Sequence, residues 1–376
     1  MAHINGRFSA ASAALMLTTA LTAAPALAGG IERSPQSIAP IFEPGRYLEI
    51  GLSHVNPSVS GHDLLPGSPA TGDVADSYVN WSLAYKQDLT DNLSAAIIVD
   101  SPFGADTRYP EGQSIMLGGT GAEVNTLAVT GILRWKGDNG FGVHGGVRML
   151  RSDAEVDLRG MAYGPFDGYS VQFDRDTGWG WLAGVSYEVP DIAARVSLTY
   201  NSFIKHEFRT TQNFPPGTPV STTDVRTPRS WNLDFQSGVA ADTLVFGSIR
   251  WVKWSEFRVD PEPFTTLVGE GLVNLEDSTT FTLGIGRKFT DEWSGSASFS
   301  YEKRGKDLVS PLAPVSGRRA ITLAAIHTRD NIKLTTGINY TWLGDAKPET
   351  GMPDTARAQM EGNHALSIGM RLGISF

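Results

Sequence analysis

The 376-residue chain contains no cysteine and, beyond its amino terminus, no long apolar run. The lack of cysteine excludes a disulfide framework, a cysteine nucleophile and a cysteine-bound metal. A membrane-spanning helix needs roughly 18 uninterrupted apolar residues, and no later segment approaches that length, which excludes a helical membrane protein. Basic charge is also scarce. The formal net charge of −9 argues against nucleic acid as a partner, because a phosphate backbone requires a basic surface.

The first 28 residues have the composition of a secretory signal peptide. Arg7 precedes an apolar, alanine-rich stretch, and residues 26–28 read ALA, a small-x-small cleavage site. A membrane anchor is the alternative, but Pro25 and the cleavage site favour removal. We therefore expect residues 1–28 to be cleaved and the mature chain to begin near Gly29.

The rest of the chain alternates apolar and polar residues in stretches of about ten, the length of a transmembrane β-strand. The final stretch, HALSIGMRLGISF, places an apolar residue on every second position. Successive side chains of a strand point to opposite faces, so this pattern predicts strands with one apolar face. Fourteen strands can be placed, at residues 46–55, 77–87, 93–102, 125–135, 141–151, 177–188, 193–203, 230–240, 243–254, 279–288, 293–303, 319–328, 332–343 and 363–376.

The connections between these strands alternate strictly in length. Short polar turns such as 88–92 and 136–140 suit hairpins, whereas long loops such as 56–76 and 205–229 are rich in Gly, Pro, Ser and Asp. Short turns at one end, long loops at the other and an even strand number are typical of an outer-membrane barrel. The sequence thus predicts an all-β fold, a 14-stranded antiparallel transmembrane β-barrel with both termini in the periplasm.

Aromatic residues concentrate at the predicted strand ends, as they do in the girdles of membrane barrels. Trp135 and Trp293 lie at predicted periplasmic ends. The predicted outer ends carry Trp179, Trp181, Trp231, Trp251, Trp254 and Trp342. The alternative, aromatic preference for strands in a soluble sandwich, does not explain clustering at the ends.

Two motifs give the barrel a family resemblance. Residues 33–61 read RSPQSIAPIFEPGRYLEIGLSHVNPSVSG, and residues 100–104 read DSPFG. The first resembles the lead into strand one of the FadL/TodX (OMPP1) family, outer-membrane transporters of long-chain fatty acids and aromatic hydrocarbons. The second resembles the family's Pro-Phe-Gly step at the end of strand three. Phe376 resembles the carboxyl-terminal signal that the barrel-assembly machinery reads.

The resemblance implies a plug, or hatch, ahead of the barrel. Ser34, Pro35 and Gln36 stand where the family has Asn-Pro-Ala, so we assign them to this hatch. The segment 29–45 is shorter than the family's plug, which puts its gating role in question. The expected organisation is a signal peptide, a short hatch-like periplasmic or plug segment at 29–45 and a barrel at 46–376.

The resemblance also implies release of cargo through a kink in strand three. Pro102 cannot donate to a strand ladder and Gly104 weakens a strand, so Ser101, Pro102 and Gly104 are the predicted lateral gate. The alternative is that Pro102 simply ends the strand. Phe103 is predicted to contact the ligand.

Facing the apolar positions outward fills the barrel with polar side chains that carry a basic excess. This inward set is Glu49, Asn80, Lys86, Arg134, His144, Arg148, Arg195, Asn201, Asp234, Gln236, Arg250, Lys333, Asn339 and Arg371. Such side chains can pair across strands and fill the lumen. Alternatively, Arg148, Arg195 and Arg250 bind a ligand carboxylate, which a guanidinium pairs with bidentately.

Apolar residues in the long loops are candidates for capturing a hydrophobic cargo, or for packing the loops together. They are Leu64, Leu65, residues 115–117, residues 161–166 and Phe214.

Passive transport of hydrophobic small molecules, by loop capture and lateral release, is the predicted function, and a general diffusion porin with a reduced plug is the alternative. No GxSxG sequence provides a nucleophile for a histidine such as His144, His206 or His327, so we predict no enzymatic activity. No cofactor or metal is expected. The predicted protein is a monomer in the outer membrane of a Gram-negative bacterium. Its predicted partners are a hydrophobic ligand, outer-membrane lipid, lipopolysaccharide and the barrel-assembly machinery.

Overall fold

The computed structural model describes residues 30–213 and 217–376, so the predicted signal peptide and Phe214 lie outside the described residues. Fourteen antiparallel strands close into one barrel, with β1 hydrogen-bonded to both β2 and β14. The strands are β1 Tyr47–Ser58, β2 Tyr78–Asp88, β3 Leu93–Asp100, β4 Gly121–Lys136, β5 Phe141–Leu158, β6 Tyr169–Val189, β7 Ala194–Asn201, β8 Ser230–Ala240, β9 Thr243–Val252, β10 Ser278–Lys288, β11 Trp293–Glu302, β12 Arg318–Arg329, β13 Ile332–Leu343 and β14 His364–Ser375. Closure leaves the sheet without a first or last strand, as a lipid environment requires.

Shorter elements lie in the connections. The short strands are Gly61–Asp63, Ala105–Arg108, Lys205–Asn213, Val220–Arg226, Leu308–Val309, Lys347–Thr350, Thr355–Ala356 and Ala358–Met360. Short 3₁₀ helices span Ala39–Phe42, Met161–Phe166, Pro190–Ile192 and Trp254–Glu256, and a short α-helix spans Phe264–Val268. Among the described residues, no helix is long and apolar enough to cross a membrane.

The predicted orientation of the barrel wall is confirmed. On β14, Leu366, Ile368 and Met370 are exposed on the outer face, whereas Ala365 and Ser367 are buried inside. The predicted inward set is buried or half-buried throughout. The apolar face of the carboxyl-terminal strand therefore belongs to the band that meets lipid.

The hairpin turns cluster at the end of the barrel where β1 begins and β14 ends. Asp242 and Asp330 adopt positive φ angles of 58° and 54° in two-residue turns, a conformation that Asp tolerates better than most residues. Phe376 lies at the same end, exposed, with its N–H donating to the carbonyl of Arg46 at 3.0 Å. The other seven connections emerge at the opposite end, as predicted.

The prediction that Trp254 belongs to the outer aromatic girdle is wrong. Strand β9 ends at Val252, and the chain then turns inward, so Trp254 is 2% exposed rather than facing lipid. Its ring contacts Phe103 edge to face at 6.0 Å and covers Gly30, where a Cβ would collide with the indole. The other five predicted outer tryptophans lie on the barrel wall.

The outer end of the barrel carries more sheet than predicted. Strands β4, β5 and β6 run several residues beyond their expected ends, and the predicted loop 205–229 contains two paired strands. In this outer sheet, Thr210 of the hairpin pairs with Phe173 of β6. Its inner face and the loops that pack against it build an apolar core above the lumen from Ala122, Val156, Leu158, Tyr169, Val171, Phe173, Phe208, Val225, Val259, Phe264, Leu272 and Leu312.

Candidate functional site

Residues 30–43 run inside the barrel, and residues 31–34 pair with the segment that follows β3. The N–H groups of Arg33 and Ser34 donate to the carbonyl of Pro102 at 2.8 and 3.2 Å, and the N–H of Gly104 donates to the carbonyl of Ile31 at 2.8 Å. Glu32 and Phe103 form an antiparallel bridge between these bonds. The predicted hatch and the predicted gate are therefore in direct backbone contact.

The predicted hatch residues are tied to the barrel wall on two sides. Ser34 Oγ donates to Asp100 at the end of β3 at 2.7 Å. On the opposite side, Asn232 of β8 donates to the carbonyl of Pro35 at 2.9 Å. The segment thus spans the lumen from β3 to β8.

Arg250 is the main anchor of this segment. Its guanidinium forms a bidentate ion pair with Glu32 and contacts Asn232, and it also donates to Gln36 and Ser230, each at 3.1 Å. Both partners of the ion pair are nearly buried. One of the three predicted ligand-binding arginines therefore already holds a carboxylate, and that carboxylate belongs to the chain itself.

Arg148 and Arg195 also point inward and are engaged by neighbours. Arg148 donates to Thr130 at 2.9 Å and to Asn201 at 3.1 Å, and Arg195 donates to Gln236 at 3.2 Å. These contacts match the expectation that inward side chains pair across strands. Binding of a ligand carboxylate by these arginines stays a prediction.

The side chain of Phe42 lies in the lower lumen, the part nearest the short hairpin turns. The sequence did not predict this position. Its ring lies against the guanidinium groups of Arg134 and Arg195, at 4.6 and 4.4 Å, and meets His144 edge to face at 6.1 Å. Stacking between a cation and an aromatic ring contributes about 2 kcal/mol or more when desolvated. The turn Ala39–Phe42 thus docks a bulky apolar group among charges.

The barrel wall has a break after β3. Asp100 is the last residue of β3, paired with Ser82 of β2 and with β4. Residues 101–104 then leave the sheet, and pairing with β4 resumes at Ala105 opposite Val124. The predicted gate residues Ser101, Pro102 and Gly104 all lie at this break.

The side chain of Arg33 occupies the break from the inside. It lies over the ring of Tyr78 at 4.4 Å, and Asn80 of β2 donates to its carbonyl at 2.7 Å. A Cβ on Gly104 would lie 2.4 Å from Arg33 Nε, so glycine at this position makes room for the guanidinium. Because these partners come from distant parts of the chain, sequence reasoning missed Arg33.

An apolar cavity of about 70 Å³ lies under the outer sheet. Ile31 and Phe103 form its floor, so it ends where the hatch segment meets the break. Its other lining residues are Ala105, Ala122, Val124, Thr126, Ser152, Ala154, Val156, Phe173, His206, Phe208, Val225, Thr227, Pro228, Phe257, Val259, Val273, Leu312 and Ala313.

A polar cavity of about 210 Å³ lies on the other side of the hatch segment. Its charged lining residues are Glu32, Arg33, Glu49, Asp100, Asp234, Arg250, Arg318 and Arg371. The described residues contain no group of three or more His, Asp or Glu side chains arranged to hold a metal ion.

The apolar loop residues divide between the two predicted roles. Met116 and Leu117 are buried in a loop core beside Tyr109. Leu64 and Met161 are exposed at the outer surface. Packing of the loops explains the first pair and leaves the second available for contact with cargo.

A closed, even-stranded barrel with an apolar outer face, a polar lumen and aromatic strand ends is an outer-membrane β-barrel. The profile of the family described as "Outer membrane protein transport protein (OMPP1/FadL/TodX)" matches residues 10–370. The chain belongs to this family, whose members are β-barrel transporters of the Gram-negative outer membrane.

Solved structures of low sequence identity share the fold. A FadL homologue of Pseudomonas aeruginosa is 14% identical, with a TM-score of 0.72, and the match covers 93% of this chain and 96% of that one. The toluene transporter TodX of Pseudomonas putida is 15% identical with a TM-score of 0.63 over 89% and 90% of the chains. The toluene transporter TbuX of Ralstonia pickettii is 12% identical with a TM-score of 0.62 over 93% and 97%. A search of curated protein sequences found no match.

Proposed function

We propose that the protein carries hydrophobic small molecules, long-chain fatty acids or aromatic hydrocarbons, passively across the outer membrane and releases them through the break in its wall. The observation that carries this proposal is the apolar cavity, whose floor is the contact between Ile31, Phe103 and the break. Two of the structurally similar proteins are toluene transporters, which supports a hydrophobic cargo.

The proposed route keeps the cargo away from the charged part of the lumen. Cargo is captured among the outer loops and enters the apolar cavity, where burial of its surface stabilises it by about 25 cal/mol per Å². It then passes the paired segments 31–34 and 102–104 and displaces the side chain of Arg33. It leaves sideways into the bilayer, with no catalysis, cofactor or energy source.

Exit straight down the lumen is disfavoured by what lies there. The bidentate pair of Arg250 and Glu32, and the stack of Phe42 with Arg134 and Arg195, place charges across that path. An apolar molecule in that space would remove water from these charges without replacing their hydrogen bonds, at a cost of several kcal/mol. The sideways path ends in lipid and meets fewer charges.

A reversible cross-link between the hatch and the wall tests the route. The side chains of Ser34 and Asp100 are in hydrogen-bond contact, and the chain lacks cysteine, so the double variant S34C/D100C introduces a single thiol pair. We expect the oxidised protein to stop uptake of a labelled aromatic hydrocarbon by whole cells and the reduced protein to restore it. The same variant in its two redox states is the matched control. Equal uptake in both states, with the cross-link verified, would refute separation of these segments as a step in transport.

The second candidate function is a general diffusion porin, which the polar cavity of about 210 Å³ favours. A porin conducts ions steadily in a planar bilayer, whereas the proposed transporter shows a small conductance that changes when hydrophobic ligand is added. We further propose that the protein acts as a monomer in contact with lipopolysaccharide, and that the barrel-assembly machinery reads Phe376.

A further inference from the structure

Two cations lie at the outer end of the barrel wall, above the band that meets lipid. Arg319 is the second residue of β12 and is exposed on the outward face, two positions before the exposed Ile321. Lys303 directly follows the last residue of β11 and is also exposed. By the alternation of the strand, Lys303 follows Tyr301 on the same outward face. Lys303 and Arg319 are therefore diagonal neighbours, a spacing that long side chains can bridge.

Aromatic rings flank Arg319 on both sides. In the register of the sheet, Arg319 lies opposite Tyr301 of β11 and opposite Trp342 of β13, and both rings are exposed. Aromatic residues of a membrane barrel mark the level at which hydrocarbon gives way to lipid headgroups. Long basic side chains at this level extend their charges toward the headgroups and keep their stems on apolar surface.

Neither of these two cations has a hydrogen bond or an ion pair with another residue in the part of the chain that the structure describes. The neighbouring cations are already paired, Arg304 with Asp307 at 3.1 Å and Lys306 with Glu276 at 3.3 Å. Two adjacent like charges repel one another. Their complement is an anion with several oxygens, which can accept hydrogen bonds from both.

The outer end of the wall beside the break has the opposite charge. Asp106, Glu123 and Glu155 are register partners on three adjacent strands, and none of them has an ion pair with a described residue. The break and the strands β11 and β12 lie on opposite sides of the closed sheet. An anionic headgroup is therefore attracted to β11 and β12 and repelled from the break.

The position of the two cations selects the anion. In the outer leaflet of the Gram-negative outer membrane, the anionic headgroup is lipid A, a glucosamine disaccharide that carries a phosphate at each end. A guanidinium binds phosphate through two parallel hydrogen bonds, and an ammonium binds it as a point charge. We propose that Lys303 and Arg319 together bind one lipid A phosphate of lipopolysaccharide. This assignment rests on the proposed contact with lipopolysaccharide and gives that contact a site.

The test measures lipid binding to the purified protein in detergent. The probes are bisphosphorylated lipid A, the same lipid A with both phosphates removed, and phosphatidylglycerol. Apparent dissociation constants are measured by native mass spectrometry for the wild-type protein and for the double variant Lys303→Gln/Arg319→Gln. The matched control is Arg175→Gln/Arg209→Gln, which removes two exposed cations of the outer end that already lie 3.1 and 4.0 Å from aspartates.

We expect the Lys303→Gln/Arg319→Gln variant to bind lipid A about 25-fold more weakly, because each cation near an anionic surface contributes about fivefold. Binding of the dephosphorylated lipid should change less than about twofold, and the control variant should bind all three lipids as the wild type does. Unchanged lipid A affinity overturns the assignment. An equal loss in the control variant also overturns it, because the net charge of the outer end would then attract the lipid. If phosphatidylglycerol binds as tightly as lipid A and loses as much, the choice of lipid A is overturned.

The wild-type protein decides the question if the double variant does not fold. An amine-reactive ester labels exposed lysines, and mass spectrometry measures the labelling rate of Lys303 relative to Lys205, which is also exposed at the outer end. Lipid A should slow the labelling of Lys303, whereas the dephosphorylated lipid should not; equal rates with both lipids would overturn the assignment.

Failure of this inference and failure of the proposed contact give different results. If lipid A and its dephosphorylated form bind the wild-type protein equally, only the phosphate site fails. If neither binds, the proposed contact with lipopolysaccharide fails with it. Uptake of hydrocarbon is measured separately and is not decided by either result.

Discussion

Removal of the Arg250 guanidinium should release the hatch segment from the lumen. The Glu32 side chain is 12% exposed and that of Arg250 is 6% exposed, so the ion pair is nearly buried. Breaking such a pair by deleting one partner costs about 3–5 kcal/mol, since the other charge stays buried and unpaired. In Arg250→Ala this cost falls on the docked state of the segment. The ratio of undocked to docked segment should rise by about 100- to 5,000-fold.

Limited proteolysis reports this ratio directly. Arg33 is covered while the segment is docked and becomes a trypsin site when the segment leaves the lumen. When docking is fast relative to cleavage, the cleavage rate follows the undocked population. We expect cleavage after Arg33 to accelerate in Arg250→Ala, while the folded barrel keeps its mobility on an unheated gel.

Two further variants separate this pair from a general loss of charge. Arg287→Ala removes an exposed arginine of β10 and should leave cleavage after Arg33 unchanged. The double variant with Glu32→Gln and Arg250→Met removes both charges, and protection should return in large part. Unchanged cleavage in Arg250→Ala would refute the assignment of this ion pair as the anchor of the hatch.

The remaining predictions concern the lower lumen and the outer loops. Phe42→Ala should raise single-channel conductance, because it removes the ring that lies against Arg134 and Arg195 in the lumen. The loss of the buried ring should also weaken docking of the hatch segment by about 3–5 kcal/mol. An unchanged, wild-type conductance would contradict this prediction. Burial, together with the nearby Asp354, raises the pKa of Glu349 in the outer loops from 4.5 to about 7. The carboxyl group of Glu349 therefore holds its proton more tightly in the folded loops than in the unfolded chain. The stability of the folded loops should be greatest below about pH 4.5 and fall as the pH rises through 7. Hydrogen exchange of residues 347–360 should show this fall in the wild type and lose it in Glu349→Gln.

The barrel was predictable because its two faces meet different solvents. A strand between lipid and a polar lumen carries apolar residues on its outward positions, and this period of two recurs from β1 to β14 although some inward positions, such as Ile98 and Phe246, are also apolar. The outer hairpin was missed because residues 205–213 face water on one side and an apolar core on the other. KHEFRTTQN accordingly carries no apolar outer face. Trp254 was misplaced because the predicted strand end extended two residues beyond Val252.

The candidate site was only partly predictable, because its contacts join distant parts of the chain. The residues of the break, 101–104, carry local signals in Pro102 and Gly104. The contact between Glu32 and Arg250 spans 218 positions, and no periodicity reports such a pair. For the same reason the aliphatic run IAPIF did not reveal that Phe42 would lie against Arg134 and Arg195. His206 was considered only as a histidine without a nucleophile, and its cavity arises from folding.

The most direct test of the central claim is a paired uptake measurement in vesicles with a lipopolysaccharide outer leaflet, with and without the protein. Labelled toluene and labelled glucose are supplied together, and entry of both is followed in time. A plugged transporter of hydrophobic molecules should accelerate toluene entry and leave glucose entry at the level of protein-free vesicles. Rapid glucose entry without a gain for toluene would contradict this account and establish the polar lumen as an open diffusion channel.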